Sequence, residues 1–319
     1  MMLKDGALLR KMEADLCLNV PFVKGQVLNI NNCWHFSSDG ESVELMFYDD
    51  IDFRDGMNRI YVVLQSFNVV ILAFCLMNTH VHFLLYGEFD ECNRFIHEYL
   101  RRTSLAIERR HKRSNALASL KLSHQNVAVD SYLKTVICYV CRNAPVAGLP
   151  YTYYDYPWCS GPLYFRHYGG WTEPRFCDAS PSGAGTEELK LIMKTKHVKS
   201  LTGVRMIDDL VFPGEYVAVG IVERIFKTCK AFNYIMGRTR EDEVEARGGD
   251  ISRLSIPIQE MRQYRDEMCV KLFGSKGLRG LDTARRLRLA RALKSQYNSS
   301  VKQIARVCGL VISEVEKLL

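Results

Sequence analysis

The chain has 319 residues, of which 47% are hydrophobic and 25% are charged, and its formal net charge is +7 at pH 7. These proportions are typical of a soluble globular protein. The longest apolar run, Val69 to Met77, is far shorter than the ~20 residues that a membrane-spanning helix requires, which argues against a membrane protein. A chain of this length predicts two or three domains.

The cysteines and the first residues indicate a reduced, cytoplasmic protein. The cysteine count is eleven, an odd number, and several cysteines lie inside apolar runs, as Cys75 and Cys138 do. Charged residues interrupt the N-terminal segment before an apolar signal-peptide core develops. We therefore expect free thiols and no membrane partner.

The first half of the chain alternates between strand-like and helix-like segments. Short apolar runs and a period of two predict strands, whereas apolar residues three and four apart predict helices. We expect strands over 22–36, 69–77 and 80–86, with Asn78-Thr79 as a turn, and helices over 52–66, 90–112 and around Tyr139, the last ending near Pro145. The aromatic segment 149–165 is expected to form a last strand or a packed loop. The order predicts an α+β fold, a ferredoxin-like split βαβ layer with helices on one face of an antiparallel sheet and the histidine-bearing strand in its middle.

Changes in composition predict how the chain divides. Residues 1–168 are expected to form the first domain, and 169–185, rich in Gly, Pro and Ser, a linker. Residues 186–277 look mainly helical and suggest no chemistry. Residues 278–319 are expected to form three helices, the last two joined as in a helix-turn-helix, with a turn at Cys308-Gly309-Leu310 and a cap at Ser313.

The clearest candidate site begins with His80 and His82, which lie one residue apart where two apolar runs meet. Alternate side chains of a strand share a face, so both imidazoles can reach one metal ion. Such a pair alone is more often structural than metal-binding. About sixty residues later, Tyr139 and Asn143 stand four residues apart, on one face of a predicted helix. Two imidazoles, an amide oxygen and a phenol make a plausible nucleophilic site, and the mixed donors favour Mg²⁺ or Mn²⁺ over closed zinc coordination.

Each of these residues also has a structural interpretation. Tyr139 could be a core aromatic of its helix, as Tyr132 is one heptad earlier, and Asn143 could be only a helix-end residue before a proline. Cys138 and Cys141 form a CxxC that could join the histidines in a zinc site. Because no second CxxC accompanies it, we expect packed thiols instead.

These motifs resemble those of the HUH single-tyrosine transposases, especially the REP-associated tyrosine transposases. The segment LMNTHVHFLLYG carries the His80-Val81-His82 motif, and YVCRNAPVAGLP carries the tyrosine, Asn-Pro-Val and Gly-Leu pattern. The family's aspartate, aromatic, Pro-Trp signature is present as Asp155-Tyr156-Pro157-Trp158. The resemblance covers roughly residues 15 to 165. This chain departs from the family at two places: Asn78 and Thr79 stand where proline and asparagine are common, and Ala144 is inserted between the asparagine and the proline.

The resemblance implies a metal-dependent enzyme that cuts and rejoins single-stranded DNA at hairpin-flanked sites through a 5′-phosphotyrosine. Tyr139 would be the catalytic nucleophile, and His80, His82 and Asn143 would hold Mg²⁺ or Mn²⁺. The expected partner is single-stranded or hairpin DNA, bound by a monomer or a homodimer. Two alternatives stay open: an inactive, domesticated DNA-binding regulator on the same fold, and an HUH replication or relaxase-type initiator.

Two basic regions are candidate DNA contacts. One is the run on the helix predicted over 90–112 and just after it, although such runs are often solvated helix faces. The other is the C-terminal segment, where Leu281 to Leu319 contain eight Lys or Arg against three acidic residues, a balance that suits nucleic acid, including duplex DNA. The candidate residues are Arg101, Arg102, Arg109, Arg110, Lys112 and Arg113 in the first region, and Arg285, Arg286, Arg288, Arg291, Lys302 and Arg306 in the second.

Overall fold

The structure, a computed structural model, describes residues 6–18, 30–39, 45–128, 130–166, 180–196, 203–238, 258–278, 280–297 and 301–316. The chain divides into two units, Met1–Thr239 and Arg240–Leu319. The first unit therefore extends past the predicted boundaries near 168 and 185, and the second begins before the predicted boundary at 277. The fold is α+β, as the order of elements predicted.

A four-stranded antiparallel sheet organises the first unit, with strand order β2-β3-β1-β4. Its strands are β1 Cys33–Ser38, β2 Val70–Leu76, β3 Val81–Tyr86 and β4 Leu122–Asn126. Every residue of β2 and β3 is buried, as their continuous apolar runs require. The histidine-bearing strand β3 lies inside the sheet, as predicted. The predicted first strand, 22–36, is confirmed from Cys33 onward. Residues 30–32 are not part of a strand, and residues 22–29 lie outside the described residues.

Four helices surround this sheet: α1 Gly6–Asp15, α2 Asp50–Leu64, α3 Phe89–His111 and α4 Asp130–Val146. The sequence predicted the last three to within a few residues. Asp49 caps α2 by accepting from the backbone N–H groups of Ile51 and Asp52. Pro145 lies inside the last turn of α4, which continues to Val146 rather than ending before the proline.

The expectation that the helices lie on one face of the sheet is wrong. Neighbouring residues of β3 point to opposite faces. The Phe83 ring packs against Phe95 and Tyr99 of α3, with ring centroids 5.8 and 5.1 Å apart. The His82 ring instead packs against Tyr139 of α4. Helices α3 and α4 therefore cover opposite faces, and the two faces are called the α3 face and the α4 face below.

Both edges of the sheet differ from the sequence-based expectation. The edge strand β4 was not predicted, because its residues LSHQN are polar and mostly exposed and so give no apolar signal. The aromatic segment forms the packed loop rather than a strand. It touches β2 through one antiparallel bridge, Cys75 with Cys159, and then forms a 3₁₀ turn over Gly161–Leu163.

The rest of the first unit is mainly helical in its described residues, as predicted, but it also contains a small sheet. A small antiparallel sheet is made by β5 Ser180–Pro181, β6 Arg205–Ile207 and β7 Leu210–Val211, and three helices accompany it, α5 Thr186–Met193, α6 Val219–Phe226 and α7 Cys229–Arg238. The Asn58 side chain of α2 donates to the Asp209 carbonyl and accepts from the Val211 N–H. The Arg142 guanidinium of α4 donates to the Met236 carbonyl. The residues after 186 therefore belong to the same unit as the sheet, and 180–181 are strand rather than linker.

The second unit is helical where it is described. Its helices are α8 Ile258–Phe273, α9 Thr283–Tyr297, α10 Val301–Cys308 and α11 Ile312–Glu316. Leu289, Leu293 and Ile304 lie in their common core. Gly309 adopts φ +62° between α10 and α11, a conformation that favours glycine, so the predicted turn is confirmed. The last helix begins at Ile312, one residue before the predicted cap at Ser313. Among the described residues, no helix has the length and apolar character needed to cross a membrane.

Candidate active site

A third histidine, His35 of β1, joins the predicted pair. Phe36 of β1 stands opposite Phe83 and Ser37 stands opposite His82 in the antiparallel pairing. Alternation along β1 therefore places His35 on the α4 face, diagonal to His82. The His35 Nε2 lies 3.3 Å from the His82 Nδ1, and the two rings lie edge to edge and nearly parallel, with centroids 5.5 Å apart. We call His35, His80 and His82 the imidazole cluster.

The tight turn between β2 and β3 positions His80. Met77 donates its N–H to the His80 carbonyl, and Leu76 pairs with Val81, so Asn78-Thr79 form the predicted two-residue turn. The rings of His80 and His82 are 5.1 Å apart and nearly perpendicular. The Thr79 Oγ1 lies 3.1 Å from the His80 Nδ1. Thr79, one of the residues that differ from the transposase motif, thus contacts the candidate ligand His80 directly.

Helix α4 brings Tyr139 and Asn143 to the same place. The Tyr139 ring meets His82 and His35 edge-on, at centroid distances of 5.4 and 5.7 Å. The Asn143 side chain lies within hydrogen-bonding reach of His80 and His82. Its amide nitrogen donates to the carbonyls of Tyr139 and Val140, so its carbonyl oxygen is the atom available to the imidazoles. The Ala144 insertion is accommodated inside the helix, where its side chain is fully buried.

Burial keeps the imidazole cluster neutral. Burial lowers the pKa of His35 to about 4, and it lowers the pKa of His80 as well. The pKa of His82 lies well below its ordinary value, chiefly through burial and further through its histidine neighbours, while the hydrogen bond to Asn143 opposes the shift. A neutral imidazole has a nitrogen lone pair, which is the form that binds metal ions. His82 is buried, whereas His80, Tyr139 and Asn143 are half-buried.

The donor atoms fit an open site for a divalent cation. His35 engages Nδ1 of His82 and Thr79 engages Nδ1 of His80, which leaves both Nε2 atoms and the Asn143 carbonyl oxygen as donors. Such a set leaves coordination positions open for phosphate oxygens. Among the described residues, no group of three or more His, Cys, Asp or Glu side chains is arranged to hold a metal. The proposed ligand set of His80, His82 and Asn143 is of another kind, because it contains two histidines and an asparagine, and asparagine is not one of those four residue types.

The CxxC cysteines pack elsewhere. Cys138 and Cys141 are fully buried, and the thiols of Cys141 and Cys75 both lie within hydrogen-bonding reach of the Cys159 thiol. Burial raises the pKa of Cys141 well above its ordinary value, which keeps the thiol protonated and unsuited to metal binding. The two cysteines are thus packed thiols, as expected.

The aspartate, aromatic, Pro-Trp segment supports the site from outside. The Tyr156 hydroxyl donates to the Leu76 carbonyl at 2.8 Å, and the Trp158 ring stacks on Phe53 at 5.0 Å. The Leu76 N–H donates to the Trp158 carbonyl. These contacts fasten the loop to the end of β2, directly before the turn that carries His80.

The basic run on α3 lies away from the imidazole cluster, since α3 covers the opposite face. Arg101 and Arg102 both pair with Glu98, and Arg110 pairs with Asp49 and Asp52. Arg113 donates to the Tyr48 hydroxyl, Lys112 donates to the Arg109 carbonyl, and Arg109 is exposed. Much of this run is therefore engaged by acidic side chains of the same unit.

The second unit separates its candidate DNA contacts into two groups. The guanidinium of Arg286 donates to the carbonyls of Leu281, Leu278 and Gly309, so it holds the helices together. The other candidates whose side chains are described are exposed: Arg285, Arg288, Arg291 and Arg306. One of them, Arg285, lies 4.0 Å from Asp282. The side chain of Lys302 lies outside the described residues.

Comparisons with protein-family models, with curated proteins and with solved structures found no match for this chain. The proposal that follows depends on the residues themselves and on the resemblance of their motifs.

Proposed function

We propose that this protein cuts and rejoins single-stranded DNA at hairpin-flanked sites, with Tyr139 as the nucleophile and a divalent cation, Mg²⁺ or Mn²⁺, held by His80, His82 and Asn143. One observation carries the proposal. The Tyr139 ring lies 5.4 Å from the His82 ring, on the same face of the sheet, although the two residues are 57 positions apart in the sequence.

The order and direction of the strands support the same proposal. In the order β4-β1-β3-β2, the strands β1 and β2 flank β3, and α2 connects them. This order supports a split βαβ, ferredoxin-like layer as part of the proposal. The HUH motif resemblance implies such a layer with its two histidines on a central strand, and the antiparallel sheet agrees with that expectation.

The reaction proposed is a transesterification that conserves bonds and charge. The Tyr139 phenolic oxygen attacks a DNA phosphorus, a bond from that oxygen to phosphorus forms, and the bond from phosphorus to O3′ breaks. The phenol loses a proton, and the departing O3′ gains one. Attack by a second 3′-hydroxyl on the phosphotyrosine reverses the exchange, so rejoining needs no external energy source.

The residues around the phenol have separable tasks. A phenol has an ordinary pKa of about 10, so the site must favour its ionised form when it attacks. A bound divalent cation would act as a Lewis acid on the phosphate oxygens. The rigid helix α4 sets the distance between Tyr139 and Asn143, and the buried cluster restricts water around the imidazoles.

The experiment uses the full chain, Mn²⁺ and a pool of single-stranded hairpin oligonucleotides of random flanking sequence. We expect an adduct that survives denaturant in the wild type, absent in Tyr139→Phe and retained in Tyr132→Phe, the buried tyrosine one heptad earlier on the same helix. Mass spectrometry of the digested adduct should find the nucleotide on the peptide that contains Tyr139.

Two results would contradict the proposal. An adduct that persists in Tyr139→Phe would mean that another residue is the nucleophile. Hairpin binding by the wild type without any adduct, across Mg²⁺ and Mn²⁺, would instead assign the chain to the class of DNA-binding regulators.

A further inference from the structure

His35 is the group in the site that the motifs do not include. It is 6% exposed, lies edge to edge with His82, and is nearly perpendicular to the Tyr139 ring. A buried polar side chain requires a partner, and the nearest nitrogen is the His82 Nδ1 at 3.3 Å. The tautomer that His82 adopts is therefore coupled to the tautomer of His35.

The contact between the two rings restricts their tautomers. A neutral imidazole has one N–H and one lone pair. Nδ1 of His82 and Nε2 of His35 form a hydrogen bond only if one of them carries the hydrogen. For His82 to present its Nε2 lone pair to a cation, its hydrogen must sit on Nδ1 and be donated to His35 Nε2, and His35 must then carry its own hydrogen on Nδ1.

Thr79 makes the equivalent contact at the other histidine. Its hydroxyl lies 3.1 Å from His80 Nδ1 and can accept from an N–H there. A hydroxyl can rotate, whereas a packed imidazole cannot, so His35 constrains its partner more tightly than Thr79 does. Both candidate ligands thus have their second nitrogen held by a neighbour.

We propose that His35 and Thr79 are positioning residues that hold His82 and His80 in the Nδ1-protonated tautomer, with both Nε2 atoms directed to one divalent cation. This inference rests on the proposed function, because the cation is the one proposed there. Partners of this kind fix ring orientation and raise ligand basicity, and losing one typically lowers metal affinity by about ten- to hundredfold.

The first test measures Mn²⁺ binding to the full chain without DNA, from the electron paramagnetic resonance signal of free Mn²⁺. His35→Phe keeps an aromatic ring and removes the acceptor, whereas His35→Gln keeps an acceptor at similar reach. We expect the affinity to fall by about ten- to hundredfold in His35→Phe and to stay within about threefold of wild type in His35→Gln. Thr79→Val should show a smaller loss than His35→Phe, and Thr79→Ser should show none.

The second test reads the tautomer directly. With ¹⁵N-labelled histidine, two-bond nitrogen–proton correlations distinguish hydrogen on Nδ1 from hydrogen on Nε2, and His82→Gln assigns the signal. We expect the His82 hydrogen on Nδ1 in the Mg²⁺-saturated wild type, in which the cation occupies Nε2. Thermal unfolding of each variant shows whether a loss of binding reflects a loss of folding.

The outcomes separate the two proposals. Equal Mn²⁺ affinity in His35→Phe and wild type, or a hydrogen on Nε2 of His82 in the presence of saturating Mg²⁺, overturns the positioning role. An adduct in the wild type would still leave the proposed function standing. A wild type that neither binds Mn²⁺ nor forms an adduct overturns both. If His35→Phe is unfolded, the Mn²⁺ affinity of His35→Gln and the tautomer of His82 test the positioning role instead. A His35→Gln variant that is folded but no longer binds Mn²⁺ contradicts the role of His35 as a hydrogen-bond acceptor.

Discussion

The two faces of the central sheet are built from opposite kinds of polar chemistry. The α3 face carries a conspicuous run of arginines, but Arg101, Arg102 and Arg110 are paired with carboxylates of the same unit. In the part of the chain that the structure describes, helix α4 on the other face carries no such run. That face instead buries neutral imidazoles beside a tyrosine and an amide. Its polar groups therefore form hydrogen bonds with other neutral groups rather than ion pairs.

The difference shows that charge density in a sequence does not locate a reactive site. Exposed ion pairs are solvated and contribute about 0–1 kcal/mol each, so they can form wherever a helix faces water. Buried, neutral donors cost free energy unless they are hydrogen-bonded, so their convergence is informative. The α4 face is therefore the better candidate for chemistry, and the α3 face for stability.

The largest effect is expected from His80→Ala. Removing one of the proposed ligands should reduce adduct formation at least about thousandfold, since Lewis-acid assistance contributes several kcal/mol and each 1.36 kcal/mol is tenfold in rate. Hairpin affinity should change by less than about threefold, because phosphate contacts supply most of it. Gel assays of adduct and filter binding of hairpin DNA measure the two quantities.

The matched control lies on the other face. His97 of α3 is exposed and contacts only the Asn93 carbonyl among the interactions described. His97→Ala should leave both quantities unchanged. Equal loss of binding and cleavage in His80→Ala would show that His80 supports the fold or the DNA contact rather than the reaction.

The second prediction concerns acid stability without metal. The folded pKa of His35 is about 4, below its ordinary 6.5, so between these values the unfolded chain binds more protons and the free energy of unfolding falls as the pH falls. The full contribution is present above pH 6.5 and is lost by about pH 4, a change of about 3 kcal/mol from His35. Urea unfolding in EDTA between pH 7 and 4 measures it.

The α3 face should respond in a different pH window. Its hydrogen bonds from Arg110 and Arg101 lower the pKa of Asp49 and Glu98 to about 2, so their stabilising effect is present above about pH 4 and is lost only toward pH 2. His35→Phe should therefore flatten the loss between pH 6.5 and 4. An unchanged slope in that variant would show that His35 is not the group that titrates.

The third prediction compares the exposed arginines of the second unit with the arginines of α3 that pair with Glu98, Asp49 and Asp52. Changing Arg285, Arg288 and Arg291 together to Ala should weaken duplex binding at least about tenfold and reduce the dependence of log K on log salt by about three. The corresponding triple change at Arg101, Arg102 and Arg110 should weaken it less than about threefold. Binding titrations at several salt concentrations measure both affinities. A larger loss of duplex affinity in the Arg101, Arg102 and Arg110 variant would indicate that DNA contacts α3.

The smallest effect is expected from Arg110→Ala alone. Arg110 joins Asp49 and Asp52, but it is partly exposed, so its loss should lower the free energy of unfolding by about 1 kcal/mol or less. Adduct formation should be unaffected. A large drop in adduct with normal stability would mean that the α3 face communicates with the site, contrary to the division described above.

The sequence alone determined the local features of this protein. Apolar runs and helical spacing located α2, α3, β2 and β3, and the four-residue spacing placed Tyr139 and Asn143 on one helix face. Local sequence also predicted the turn before β3 and the turn at Gly309. These features depend on neighbours a few residues away, and the backbone periods of 2 and 3.6 residues make them readable.

Only the tertiary structure decided what those elements face. Strand register placed His35 beside His82 across 47 positions, and no local pattern in CWHFSS marks a histidine as part of a site. The polar strand β4 gave no apolar signal. The placement of α3 and α4 on opposite faces depends on the residue of β3 that each helix packs against, Phe83 for α3 and His82 for α4. Register and face are set by packing between distant segments, whose free energy is absent from any local window of sequence.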